Sequence, residues 1–265
     1  MIKITFPFAN NSFVIDSPSI IESHIVEKFL PFSELIKVIS DEIQHIVIRV
    51  NGYHIKISSK RIGKSYSIKC VSCYDVFKKI INLIRDNSII YGNVCMLHAS
   101  FVKIFDKRIL LLGESGAGKS TLSAYLHLTP GCECYADDIA FTNYNTMITK
   151  GASQYINLRS SSLELLPANC TVVYDDFIER YKMKLNNYTE AKANYIVLLN
   201  QRKGSDAQIK IIDKPISVLA QNMYLPYSLK GNIIAASKLV SYNHIYEMCF
   251  CNLFSAYNAL KNFGG

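Results

Sequence analysis

Through much of the first seventy positions, apolar and polar residues alternate at a spacing of two, the period of half-buried strands. This predicts strands over 2–6, 12–16, 45–51, 53–59 and 66–71, with Asn51-Gly52 as a hairpin turn. Residues 33–43 read as a helix. Over 74–86 the period changes, and Phe77, Ile80, Ile81 and Ile84 fall on one helical face. Beyond that, short apolar runs alternate with glycine turns. Strands are expected over 132–136, 195–199 and 208–212, and helical patterns over 216–223 and 233–260. Interleaved strands and helices define an α/β chain. A soft boundary near Ser72 divides it into a strand-rich N-terminal domain, 1–72, and a larger domain, 73–265.

At 265 residues and 49% hydrophobic composition, with 17 Tyr, 13 Phe and 7 Pro, the chain can bury a core without staples, which excludes general disorder. No run approaches the roughly 18 uncharged apolar residues of a membrane span, and Met1-Ile-Lys-Ile-Thr-Phe-Pro-Phe does not resemble a secretion signal. We therefore expect a cytoplasmic protein with no membrane partner. Most of the eight cysteines lie in apolar runs, as reduced core residues do, and Cys70-x-x-Cys73 makes only half a zinc site. The net charge of +8 favours anionic partners. The basic residues are scattered, densest at Lys60-Arg61-x-x-Lys64 and Arg202-Lys203, so no nucleic acid is expected.

The most informative segment is Arg108-Ile-Leu-Leu-Leu-Gly113-Glu114-Ser115-Gly116-Ala117-Gly118-Lys119-Ser120-Thr121-Leu122, which matches G-x-x-x-x-G-K-[ST] in full. An apolar strand precedes it, and a helix stopped by Pro130-Gly131 follows it. In such a loop backbone N–H groups surround a β-phosphate and the helix N-terminus adds partial positive charge. Lys119 would reach the β/γ oxygens, and the Ser120 hydroxyl would hold Mg²⁺. Residues 113–121 are thus the candidate ATP site.

Its neighbours supply candidate chemistry. If 98–112 forms a hairpin in which 104 faces 108, 102 faces 110 and 100 faces 112, His98 comes opposite Glu114 at the rim of the loop. Downstream, the expected strand 132–136 ends in Asp137-Asp138, where P-loop enzymes hold Mg²⁺ or its water. Strand alternation would send the two carboxylates to opposite faces, one toward metal or nucleophile and the other in support. A second pair, Asp175-Asp176, reads as the N-terminal cap of a charged helix-like stretch, 177–185.

His98, Gly113 fifteen residues later, the loop and Ala136-Asp137-Asp138 together resemble the catalytic domain of HPr kinase/phosphorylase and its stand-alone relatives. Those are protein-serine kinases related in fold to phosphoenolpyruvate carboxykinase. The resemblance is dense over 98–141 and fainter to about 225, through Asn157-Leu-Arg159, Ala193-Asn-Tyr-Ile-Val-Leu-Leu199 and Leu219-Ala-Gln-Asn-Met-Tyr224; residues 1–70 do not share it. It implies a P-loop-containing, HPr kinase-like mixed-sheet catalytic domain. His98 resembles the family's catalytic histidine, Lys119 its phosphate lysine, Ser120 its metal hydroxyl and Asp138 the aspartate that takes the serine proton, with Asp137 beside the metal. There are departures. Thr121 stands where the bifunctional enzymes have Glu, and one extra residue separates loop from aspartates. Asn157 stands where a metal-binding Glu is expected, and Ser160-Ser-Ser-Leu-Glu-Leu-Leu replaces a glycine-rich block. For the basic residue that closes the site, Arg202 and Lys203 are the candidates.

These changes weaken phosphorylase chemistry more than kinase chemistry. The expected function is therefore a one-way kinase that uses ATP and Mg²⁺ to phosphorylate a serine, or another hydroxyl, of a peptide or protein acceptor. A biosynthetic precursor peptide is one such acceptor, and the N-terminal segment would help to recognise it. A homo-oligomer is left open. Two alternatives stand beside this reading. A non-catalytic nucleotide sensor would have no need to keep Lys119, Ser120, His98 and Asp138 together. A carboxykinase-like enzyme acting on a small acid would need an arginine-rich pocket.

Overall fold

The structure, a computed structural model, describes residues 1–5, 12–29, 32–35, 45–59, 64–87, 94–186, 190–201, 206–213, 215–223 and 229–264. It is a mixed α/β protein in two compact units, one of residues 1–92 with 225–227, the other of 93–224 with 228–265.

The first unit contains β1 (Ile2–Thr5), β2 (Ser12–Asp16), α1 (Ser19–Phe29), β3 (Ser33–Leu35), β4 (His45–Asn51), β5 (His54–Ser59), β6 (Lys64–Lys69) and α2 (Cys73–Asn87). Its six-stranded sheet runs β3-β1-β2-β4-β5-β6, antiparallel throughout except for β2 with β4. Ile2, Ile4, Ile46, Ile48, Ile55 and Ile57 are buried, as the period of two requires, whereas β2 is buried continuously from Ser12 to Ile15. The start of the expected helix at 33–43 is instead strand β3 on the edge of this sheet, because Ser33 to Leu35 pair with β1; residues 36–43 lie outside the described set. Helix α1 was not expected. Its buried stripe of Ile21, Ile25 and Phe29 repeats every four residues, and α1 packs against α2 with the His24 and Phe77 rings 6.0 Å apart. That packing puts α2 in the first unit, so the units divide after Gly92, where the sequence pattern placed a boundary near Ser72.

The second unit begins with β7 (Val94–Leu97), β8 (Ser100–Ile104), β9 (Lys107–Leu112), α3 (Lys119–His127), β10 (Cys132–Ala136), β11 (Ala140–Asn143), β12 (Ile148–Gly151), β13 (Tyr155–Leu158) and the short α4 (Ser160–Leu163). There follow β14 (Val173–Asp175), β15 (Arg180–Lys184), β16 (Ala191–Lys192), β17 (Tyr195–Gln201), β18 (Gln208–Ile211), α5 (Pro215–Gln221), α6 (Leu229–Tyr242), β19 (Ile245–Phe250) and α7 (Leu253–Asn262). The main sheet runs β10-β8-β9-β17-β19-β18, with β9, β17 and β19 parallel. Strands buried on both faces read as unbroken apolar runs, and β9 is one. Its Ile109 and Leu111 join Leu122, Leu126 and Leu260 on one side; Leu110 and Leu112 join Leu219 and Leu239 on the other. Two smaller sheets, β16-β12-β11-β7 and β13-β15-β14, flank it.

Three expectations change in this unit. Residues 177–185 hold strand β15, not a helix: Asp175 Oδ1 accepts the N–H groups of Phe177 and Ile178, which makes a tight turn, and β15 then pairs with β13 and β14. The helical pattern over 233–260 is broken by β19. Asn252 starts a new helix there, its side chain accepting the Ser255 N–H at 2.8 Å. The β8–β9 hairpin is one residue tighter than expected, pairing Ile104 with Lys107, Val102 with Ile109 and Ser100 with Leu111. Phe105 permits this by taking φ 54°.

Candidate nucleotide site

The segments that follow β9 and β10 leave the same edge of the main sheet, since both strands run antiparallel to β8. The candidate phosphate loop follows Leu112, with Gly116 and Gly118 in the left-handed region at φ 90° and 85°, so its backbone turns back before α3 begins at Lys119. Ala117 N–H donates to the Glu114 carbonyl, and the Lys119 ammonium donates to the carbonyls of Gly113 and Glu114 at 2.5 and 3.1 Å. Burial holds the Lys119 pKa below its ordinary value, opposed by the charges of Asp137 and Asp138.

The aspartates are delivered by β10. A bulge between Cys134 and Ala136 shifts the β10–β8 register by one residue just before them. Gly151 lets β12 pass close by: a Cβ there would lie 2.5 Å from that of Ala136. Asp138 then adopts φ 70°, and Ile139 N–H donates to the Asp137 carbonyl across it at 2.9 Å. Strand alternation therefore does not separate the carboxylates. The strand has ended, and the tight turn brings both to one cavity of about 700 Å³.

There they have different partners. Asp137 is 1% exposed; its Oδ1 accepts from the Ser100 hydroxyl at 2.7 Å, and its two oxygens accept from Ser120 at 3.1 and 2.9 Å. Asp138 meets His98, Nε2 to Oδ1, at 3.3 Å. His98 reaches the rim of the loop, but not by lying opposite Glu114 in a hairpin; it sits between β7 and β8 and donates its backbone N–H to the Asn222 carbonyl at 2.9 Å.

The cavity is lined by Ser115, Gly116, Gly118, Lys119, Ser120 and Thr121 of the loop, with His98, Asp137, Asp138, Asn157, Arg159 and Arg180. Gly113, Glu114 and Ala117 belong to the loop without lining the cavity. Thr121 also shares a hydrogen bond with Ser162 at 3.0 Å, tying α3 to α4. The donor set suits a hard divalent cation: Ser120 and Asp137 offer oxygens, and Oδ1 of Asn157 is buried with no hydrogen-bond partner among the described residues. Arg202 and Lys203 lie outside the described residues.

Two features escaped the sequence. Asn222, 8% exposed, accepts the Gly113 N–H through Oδ1 at 3.0 Å, donates through Nδ2 to the Val218 carbonyl at 2.9 Å, and holds His98 through its own carbonyl. Nothing local marks this role, because its partner Gly113 is 109 positions away. Arg180 was likewise unforeseen, since its stretch read as helix. All eight cysteines are free thiols; burial raises those of Cys95, to about 12, and Cys134. Among the described residues no helix is long and apolar enough to cross a membrane.

No family model and no curated protein matches this chain. Among solved structures it is similar to the Hpr(Ser) kinase/phosphatase from Coxiella burnetii, with 14% sequence identity and a TM-score of 0.32, over 63% of this chain and 94% of that one.

Proposed function

We propose that this protein is an ATP- and Mg²⁺-dependent kinase that transfers the γ-phosphoryl group to a serine hydroxyl of a peptide or protein. The observation that carries the reading is that a phosphate loop, an Asp137–Ser120 pair and a His98–Asp138 pair open into one cavity. Phosphoryl transfer asks a protein mainly for positioning and charge stabilisation. The loop amides and Lys119 would hold the β- and γ-phosphates. Ser120 and Asp137, with Asn157 of the same cavity lining, would hold the metal, which supplies charge neutralisation at the phosphate oxygens. Asp138, held by His98, would accept the hydroxyl proton as the new O–P bond forms and ADP leaves.

The test is direct. Mg·ATP is titrated into the purified protein, which is then incubated with radiolabelled ATP and the peptides or small proteins encoded beside its gene. The reading expects binding and label on serine, lost in Asp138→Asn. Absence of ATP binding overturns it, and tight binding without transfer to any acceptor favours a nucleotide sensor.

A further inference from the structure

Strands β13 and β15 are antiparallel, with Tyr155 opposite Lys184 and Leu158 opposite Tyr181. Carried one residue further, this register places Arg159 directly across from Arg180. Arg159 is still extended, at φ −82° and ψ 159°, so the register reaches it. Like charges at facing positions destabilise a strand pair. Among the described residues neither guanidinium is paired with a carboxylate. Asp175 stands opposite Arg180 on the other side, but its carboxylate takes the Lys182 ammonium and two turn amides. Arg180 gives one N–H to the Glu179 carbonyl, at 2.8 Å, which steadies it and leaves its other donors for a ligand. Both arginines line the cavity of the phosphate loop.

Resting on the nucleotide reading of that cavity, we infer that Arg159 and Arg180 form a fork for a carboxylate of the acceptor. The triphosphate already has the loop amides, Lys119 and the metal-binding oxygens. The two guanidiniums come from a different sheet, and planar guanidinium donors match a carboxylate two bonds at a time. They also offset the charges of Asp137 and Asp138, which would otherwise repel an acidic acceptor from this cavity. The fork thus selects an acceptor with a carboxylate close to its hydroxyl.

The experiment uses the full chain saturated with Mg²⁺ and a non-hydrolysable ATP analogue, titrated in a calorimeter with hexaglutamate or, separately, succinate. Arg159→Gln and Arg180→Gln are each expected to weaken carboxylate binding about tenfold or more, to leave analogue affinity within about threefold, and to keep or raise the melting temperature as the like-charge pair is relieved. Hexaglutamate binding identifies acidic side chains as the source, and succinate binding alone identifies a small free acid. The inference is overturned if the loaded wild type binds neither probe, if both variants bind them as wild type does, or if the variants lose analogue affinity instead, which would assign the arginines to the triphosphate. If the wild type fails to bind the analogue, the nucleotide reading falls, and titration of the unloaded protein still decides whether the fork exists.

Discussion

Nε2 of His98 lies 3.3 Å from Oδ1 of Asp138, joining the segment between β7 and β8 to the tight turn after β10. Asp138 reaches this position only because its backbone is left-handed, at φ 70°, a conformation that aspartate and asparagine tolerate better than most residues.

That geometry makes Asp138→Asn a clean probe, since asparagine keeps the turn and removes the carboxylate proposed as base. We expect ATP affinity within a few-fold of wild type and phosphoryl transfer reduced by ~10²–10⁴. Asp137→Asn should behave differently: it disturbs bonds to Ser100 and Ser120, so the Mg²⁺ concentration for half-maximal transfer should rise and the melting temperature should fall. Calorimetry with a Mg²⁺ titration of transfer separates the two, and identical behaviour would refute the division of roles.

Lys119→Ala should abolish ATP binding or turnover. Its ammonium is buried at the base of the loop, where a methyl group cannot replace its charge on the β/γ oxygens. Wild-type affinity by calorimetry, with wild-type phosphate release, would sink the assignment of the loop.

Asn222→Ala removes the side-chain acceptor of Gly113 N–H and the donor to Val218 while leaving the cavity's own side chains intact. An unsatisfied buried amide costs about 1–3 kcal/mol, so the melting temperature should drop by several degrees. The loop should also shift, giving weaker ATP binding and slower transfer together, while the backbone carbonyl that holds His98 stays in place. Unchanged melting and kinetics would show that the Asn222 side chain does not position the loop.

Transfer should run one way. Phosphorolysis must hold a second phosphate beside phosphoserine, and the segment after Arg159 carries the hydroxyls of Ser160, Ser161 and Ser162 where a glycine nest would supply backbone donors. Incubating phosphorylated acceptor with excess phosphate and Mg²⁺ should release no appreciable pyrophosphate. Robust release would reverse this direction and leave the kinase assignment standing.

What the sequence determined by itself was local. Residues 113–121 specify their loop through Gly113, Gly116 and Gly118, whose backbone angles other residues avoid, the apolar run 109–112 specifies a strand buried on both faces, and Asp137-Asp138 ends a strand wherever that strand pairs. The tertiary structure decided everything that depends on distant partners. Residues 177–185 became a strand because β13 and β14 offered hydrogen bonds on both sides, which local propensity does not register. Asn222 acquired its role from Gly113, and Arg159 came to line the same cavity as Arg180 although twenty residues of chain lie between them. His98 and Asp138, forty positions apart, face each other because a bulge, a close-passing glycine and a left-handed turn redirect the chain after β10. Local backbone preferences are written in consecutive residues, whereas the aim of a side chain is set by the sum of turns between it and its partner.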